Sequence, residues 1–455
     1  FLCFQKYKQV ISVEPFASLR VPRGFSAESF CYSAMDRPMA PSILSSKTWT
    51  TIEIPPRSVT ADTDTDAKRR WFREELGLYF DPFALLDAGT DPYLPQYLVG
   101  QRAMEQLWGD WPSFLFAPPG GGKTAFRVWL TRVCRTGRDG RRILPIVLAP
   151  PRPEEPQTPL PWERYIEALS HAIAASLLLD LAYQPSSSLT PQSFPYPQLR
   201  PSRFFDLSEE ERGLVRSVLE RDLPMPLDYL LDQIADEGSL APWSRTFDPP
   251  SLGLPNEPAA ESLRAFCEAM RCAVPTPSSQ LPERGEETIQ TLRTILGYSA
   301  VYLLVDEADA YIQDPKAIVR LLKPLWEKTT AWSRQAVFVK YFLPEEVQSK
   351  IPAKMLTGPT QCVIIQWEPE TLVQVVRERL RIASEGMFRS LIAISTPDVN
   401  EDIEFQLARA LQPPIPREML RLLQRVFFVH LQRVGPYGRL QQEDYAEALA
   451  WYPGR

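Results

Sequence analysis

The stretch FAPPGGGKTAF, residues 116–126, constrains the fold more than any other part of the chain. Two prolines and three glycines lead into a lysine and a threonine, between the apolar run SFLFAP and the helix-like run TAFRVWLTRVCR. Residues without a bulky Cβ let successive backbone N–H groups converge on an anion at close approach. A helix starting near Thr124 points the positive end of its dipole at the same place. Residues 117–124, APPGGGKT, match the G-x-x-x-x-G-K-[ST] phosphate loop with Ala117 in the first glycine's position. On this reading Pro119 to Ala125 wrap the phosphates, with Gly120, Gly121 and Gly122 supplying the bare backbone. Lys123 neutralises the β and γ oxygens, and the Thr124 hydroxyl ligates Mg²⁺. The alternative is a glycine turn with a solvated lysine.

A second motif favours the phosphate loop. In VYLLVDEADAY, residues 301–311, an apolar strand ends in Asp306 and Glu307. That position is the carboxyl edge of a buried strand, where α/β sheets bind ligands. Asp306 is expected to hold the Mg²⁺ water shell and Glu307 to orient and polarise the attacking water. An apolar run ending in Asp-Glu is commonplace by itself, and gains its meaning from the glycine loop.

The remaining apolar runs, RILPIVLAP, AVYLLV, QAVFVKYFL and QCVIIQW, alternate with helical patterns such as WERYIEALSHAIAASLLLDLA and ETIQTLRTILGY. Short all-apolar strands alternating with helices predict an α/β core with a parallel sheet covered on both faces. At 455 residues and 44% hydrophobic, the chain can bury a large core in two or three domains. The core is expected over 66–370, with 1–65 contributing little to the fold and Met35 a candidate true start. Proline, 46 residues in all, clusters at 150–161, 185–201, 249–258 and 275–282, and residues 183–286 break the alternation and read as an insertion with its own helical pieces. Beyond 370, EPETLVQVVRERLRIA and REMLRLLQRVFFVHLQRV read as amphipathic helices of a C-terminal helical domain, 371–455.

The formal charge of -6 gives no general attraction to nucleic acid or anionic membrane. Six scattered cysteines without a C-x-x-C pair and only two histidines argue against a thiolate or histidine metal site, and fit a reducing cytoplasm. The longest apolar stretch, AIAASLLLDLA, is interrupted by Asp180 and reads as too short to span a bilayer. Basic and aromatic residues mix in DAKRRWFREELGLYF, 67–81, which reads as a solvated amphipathic helix; His430 reads as a core-edge residue and Trp367 as packing.

With these motifs the chain resembles the AAA+ and STAND superfamily of P-loop ATPases, over roughly residues 93–450 apart from the insertion. The resemblance implies a P-loop core with a C-terminal helical lid, ATP and Mg²⁺ as ligands, and a protein partner. YLVGQRAMEQL, 97–107, is similar to the lead-in segment flanking adenine, which makes Val99 and Gly100 adenine-side candidates; an ordinary capped helix start has the same pattern. Lys340, ending VFVK, occupies the place of the polar residue that senses the γ-phosphate, or is a solvated lysine at a strand end. Arg417, in PPIPREMLRLL, resembles the lid arginine that reaches back to the nucleotide, or is an exposed first-turn arginine.

No arginine occurs from Gln335 to Val376, where ring-forming AAA+ enzymes usually carry one for a neighbour's site. That favours a STAND-like switch or a monomer over a ring motor, and no N-K-x-D guanine motif appears. The expected function is ATP hydrolysis driving a conformational switch on a partner protein. A switch that hardly hydrolyses ATP, or a DNA-associated ATPase like the origin-recognition group, are the alternatives.

Overall fold

The five apolar runs become strands β1 (Ser113–Ala117), β2 (Ile143–Leu148), β3 (Ala300–Val305), β4 (Val337–Pro344) and β5 (Gln361–Ile364) of the computed structural model. They lie side by side in the order β2-β3-β4-β1-β5, every pair parallel. The structure describes residues 61–452 apart from 92, 154–159, 183–202, 248–259, 311 and 357–358; the expectations for 1–60 lie outside them. β1, β3 and β4 are buried at every position, whereas the edge strand β5 exposes Gln361, Cys362 and Ile364.

Side chains alternate between the two faces with the strand period. Phe114, Phe116, Val301, Leu303, Val339 and Tyr341 enter one hydrophobic cluster, and Leu115, Ala117, Tyr302, Leu304, Phe338 and Phe342 enter the other. Helices α2 (Arg102–Leu107) and α3 (Lys123–Thr136) cover the second face through Met104, Leu107, Phe126 and Leu130. Helix α4 (Trp162–Ala182) covers the first through Leu169, Ile173 and Leu177. This helix is long and apolar enough to cross a membrane, and it is a core helix of the sheet layer. Its Asp180 accepts from Arg142 at 2.9 Å and from the Tyr298 hydroxyl.

The stretch expected as an insertion carries α5 (Glu209–Asp222), α6 (Leu227–Glu237), α7 (Ala241–Phe247) and α8 (Ala260–Cys272), which lead to α9 (Glu286–Ile295). Helix α5 starts at a capping box, in which Ser208 accepts the Glu211 N–H while the Glu211 carboxylate accepts the Ser208 N–H. Val215, Leu219, Leu230 and Phe266 share one continuous core with α4 and the sheet. The insertion therefore thickens one layer of the α/β structure.

After β3, α10 (Pro315–Arg334) starts at Asp314, whose carboxylate accepts the Lys316 N–H. The short α11 (Glu345–Gln348) follows β4 directly. Four helices close the chain: α12 (Pro369–Ala383), α13 (Ile403–Ala410), α14 (Pro416–Arg433) and α15 (Gln442–Trp451). α12 and α14 each begin with proline at the first helical position, where its fixed φ suits the helix and its missing N–H costs nothing.

These helices build a cluster separate from both sheet faces, and Trp71, Phe72, Leu76, Leu78 and Phe83 belong to it. The segment read as a solvated helix of the α/β core thus supplies core residues to the C-terminal helices, following α1 (Ala61–Arg70). Trp71 stacks on His430 at 4.9 Å and donates to the Gly438 carbonyl at 2.7 Å. His430 is fully buried rather than at the core edge, bonded to Asp444 at 2.7 Å and to the Tyr437 carbonyl at 2.9 Å. Burial pushes the Asp444 carboxyl up, but bonds from His430, the Gln441 N–H and Arg433 outweigh it and hold the group below its ordinary range. In α12, Arg379 bonds Asp91 at 3.0 Å and the Pro82 carbonyl at 2.8 Å.

Candidate functional site: the glycine-loop corner

β1 and β4 are neighbours, yet the chain leaves β1 for β2 at one edge of the sheet and leaves β4 for β5 at the other. Departing connections of this kind open a crevice at the carboxyl ends of the strands. The glycine loop emerges there. Gly120 and Gly122 have φ of 79° and 95°, a left-handed conformation that L side chains rarely adopt, and Gly122 is the residue from which α3 starts. A Cβ on Gly121 would lie 2.9 Å from the Pro118 carbonyl oxygen, which already accepts the Gly121 N–H.

Two strand spacings, about 10 Å, separate β1 from β3, and the side chains of α3's first turn bridge that gap. Thr124 Oγ1 lies 3.3 Å from Asp306 Oδ2, and Arg127 Nε, one turn further along the same helix, lies 2.8 Å from the same oxygen. The second carboxylate oxygen accepts the Glu307 N–H at 2.9 Å. Lys123 Nζ pairs with Asp309 at 3.2 Å, the lysine nearly buried and the aspartate half-buried. Glu307 is exposed and sits at φ 66°, a left-handed conformation uncommon for a side-chain-bearing residue and concentrated at functional turns.

The C-terminal helices complete the corner. Trp367, just ahead of α12, donates its indole N–H to the Gly121 carbonyl at 2.9 Å. Arg417, at the start of α14, packs so close to Gly120 that an added Cβ would meet its Cβ at 2.7 Å and its Nε at 3.2 Å. The corner therefore collects three cations, Lys123, Arg127 and Arg417, and three carboxylates, Asp306, Glu307 and Asp309. Among the described residues no group of three or more His, Cys, Asp or Glu side chains forms a metal cage.

Lys340 is not part of this assembly. It is the fourth residue of β4 and its register partner on β1 is Ser113, at the opposite end from the loop. Its ammonium is fully buried and donates to the carbonyls of Gly109 at 2.9 Å and Trp111 at 2.6 Å and to Ser113 Oγ at 3.2 Å, with the Tyr302 ring face 4.7 Å away. Burial pushes its pKa down to about 7. The strand runs on to Pro344, so the residues at the loop end of β4 are Pro344, Glu345 and Glu346. The apolar residues after Lys340 lengthen the strand and carry the lysine inward.

Val99 and Gly100 lie in the turn before α2, half-buried and exposed respectively, and a Cβ on Gly100 would meet nothing within 4 Å. The adjacent Leu98 packs with Leu94, Tyr97, Ala125 and Val128, which brings this turn beside the first turns of α3. Three participants escaped the sequence reading. Asp309 is the third acid of DEAD, Arg127 is a charge among the apolar residues AFRVWL, and Trp367 serves the loop rather than packing alone. Comparison with protein-family models, curated proteins and solved structures returns no match for this chain.

Proposed function

We propose that the corner binds ATP with Mg²⁺ and hydrolyses it, and that the cycle works as a conformational switch of AAA+/STAND type on a partner protein. The observation that carries this reading is the 3.3 Å approach of Thr124 to Asp306, which joins two motifs 182 residues apart beside Lys123. A hydroxyl and a carboxylate are hard oxygen donors, and Mg²⁺ commonly takes one or two such groups and shares the rest of its shell with water and phosphate. When bound, the cation neutralises charge developing on the phosphate oxygens.

The protein's own groups have distinct tasks in this scheme. Lys123 exchanges Asp309 for the β and γ phosphates, and the backbone of Pro119 to Gly122 with the start of α3 cradles them. Because the Gly121 carbonyl is held by Trp367, planarity of the peptide turns the Gly122 N–H the opposite way. Glu307 orients the attacking water, and Ala125, Val99 and Gly100 border the nucleoside side. Arg417 grips phosphate from the C-terminal helices, which act as the lid. Contacts of Trp367 and Arg417 with the loop supply the route from nucleotide to lid. We assign the protein to the cytoplasm. Glu307→Gln is expected to keep ATP binding and abolish phosphate release; unchanged turnover would reject the role given to Glu307.

A switch that binds ATP with little hydrolysis is the second reading. It is favoured by the position of Lys340, which leaves β4 without a cation near the loop and so removes a source of transition-state stabilisation. Single-turnover conversion by the purified protein separates the two: rapid conversion without a partner excludes the inert switch.

A further inference from the structure

The most buried charge at the corner belongs to a residue outside the phosphate-loop pattern. Arg127 has 1% of its surface exposed and its partner Asp306 3%. A guanidinium in that position is tolerated only when paired and hydrogen-bonded. Its place on α3, three residues after Thr124 and four after Lys123, makes it a neighbour of each on the helix surface. Asp306 then has Arg127 and Thr124 on one oxygen and the Glu307 N–H on the other. Its negative charge is balanced from inside the protein.

Resting on the nucleotide reading above, we propose that Arg127 is a positioning residue that supplies part of the charge neutralisation otherwise demanded of Mg²⁺, so that nucleotide is held with weak metal dependence. A bare carboxylate beside Lys123 repels a free polyphosphate and draws a dication. A carboxylate paired to Arg127 does neither strongly. The remaining carboxylates, Asp309 on Lys123 and the exposed Glu307, are the ones that respond to incoming phosphate.

The test is equilibrium binding of ATP to the purified full chain in excess Mg²⁺ and in EDTA, compared as a ratio of affinities. Wild type is expected to show a ratio under about tenfold, and Arg127→Met to widen it by about tenfold or more, the order of one unit charge a few ångströms away. Arg127→Lys and the double variant Arg127→Met/Asp306→Asn are expected to keep the narrow ratio, because both leave the pair balanced. An equal loss of affinity in both media for Arg127→Met marks a purely structural role and overturns the proposal, as does a wild-type ratio of about a hundredfold or more. Should Arg127→Met not fold, Asp306→Asn decides: with one negative charge removed from the corner, binding in EDTA is expected to tighten relative to wild type, and unchanged or weaker binding there overturns the proposal. A wild-type protein that binds no ATP in either medium overturns the nucleotide reading, and this inference with it.

Discussion

Two buried lysines stand at opposite ends of the sheet, and their partners differ in kind. Lys340, at the amino end, is held by the backbone carbonyls of Gly109 and Trp111 and the hydroxyl of Ser113, groups of the chain leading into β1. Lys123, at the carboxyl end, is held by one half-buried carboxylate on the loop after β3. Fixed oxygens make a lysine part of the framework; an exchangeable side chain makes it available to an anion. The same division separates Arg379, locked to Asp91 and the Pro82 carbonyl, from Arg417, which leans on the loop through its backbone and aliphatic stem.

The largest expected effect breaks the comparison at the carboxyl end. Lys123→Ala is expected to weaken ATP binding by about a hundredfold or more, the loss of charge-assisted contacts to phosphate. Its unfolding free energy should fall by no more than about 1 kcal/mol, since the carboxylate left behind, Asp309, is partly exposed and can be hydrated. Calorimetric titration and thermal melts measure the two. At the amino end the pattern inverts: Lys340→Met is expected to cost about 1–3 kcal/mol in denaturant unfolding by stranding buried carbonyls, with ATP affinity unchanged.

The pH dependence sharpens the same contrast. Burial lowers Lys340 to about 7 in the folded protein, against about 10.4 in the unfolded chain. Between these values the unfolded state holds a proton that the folded state lacks, so this group's contribution to stability increases as pH rises and is smallest below pH 7. Wild type should therefore gain stability relative to Lys340→Met between pH 7 and 9, as read by denaturant midpoints across that range. Parallel pH profiles for the two proteins would show that the lysine stays charged on its three oxygens.

Smaller effects probe the fastenings of the loop. Trp367→Phe removes the bond to the Gly121 carbonyl, worth about 1 kcal/mol, and should weaken ATP binding about fivefold in a titration. Asp309→Asn frees Lys123 from its competing carboxylate, and binding should tighten about threefold, the scale of a half-exposed ion pair.

Much of this arrangement is legible in the amino-acid sequence. The glycine loop, all five strands and the long helices α4, α12 and α14 follow from apolar runs, their period and their flanking residues, because a buried parallel strand and an amphipathic helix leave different patterns. Lys340 misled because the apolar run continues past it, and periodicity cannot say at which end of a strand a lone polar residue lies. Trp71 and Phe72, among charges in KRRWFREE, gave no sign that their partners were His430 and Phe427, more than 350 residues away. Arg127 and Asp309 escaped because pairing is set by helix face and loop conformation, which spacing alone does not encode. Helices α13 and α15 are short and their apolar positions too few to stand out.

The most direct measurement is equilibrium binding of ATP in excess Mg²⁺ to wild type, Lys123→Ala and Lys340→Met. Saturable one-to-one binding that vanishes in Lys123→Ala and survives in Lys340→Met is the expected result. No binding by wild type, or equal binding by all three, would contradict the assignment of the glycine-loop corner as a polyphosphate site.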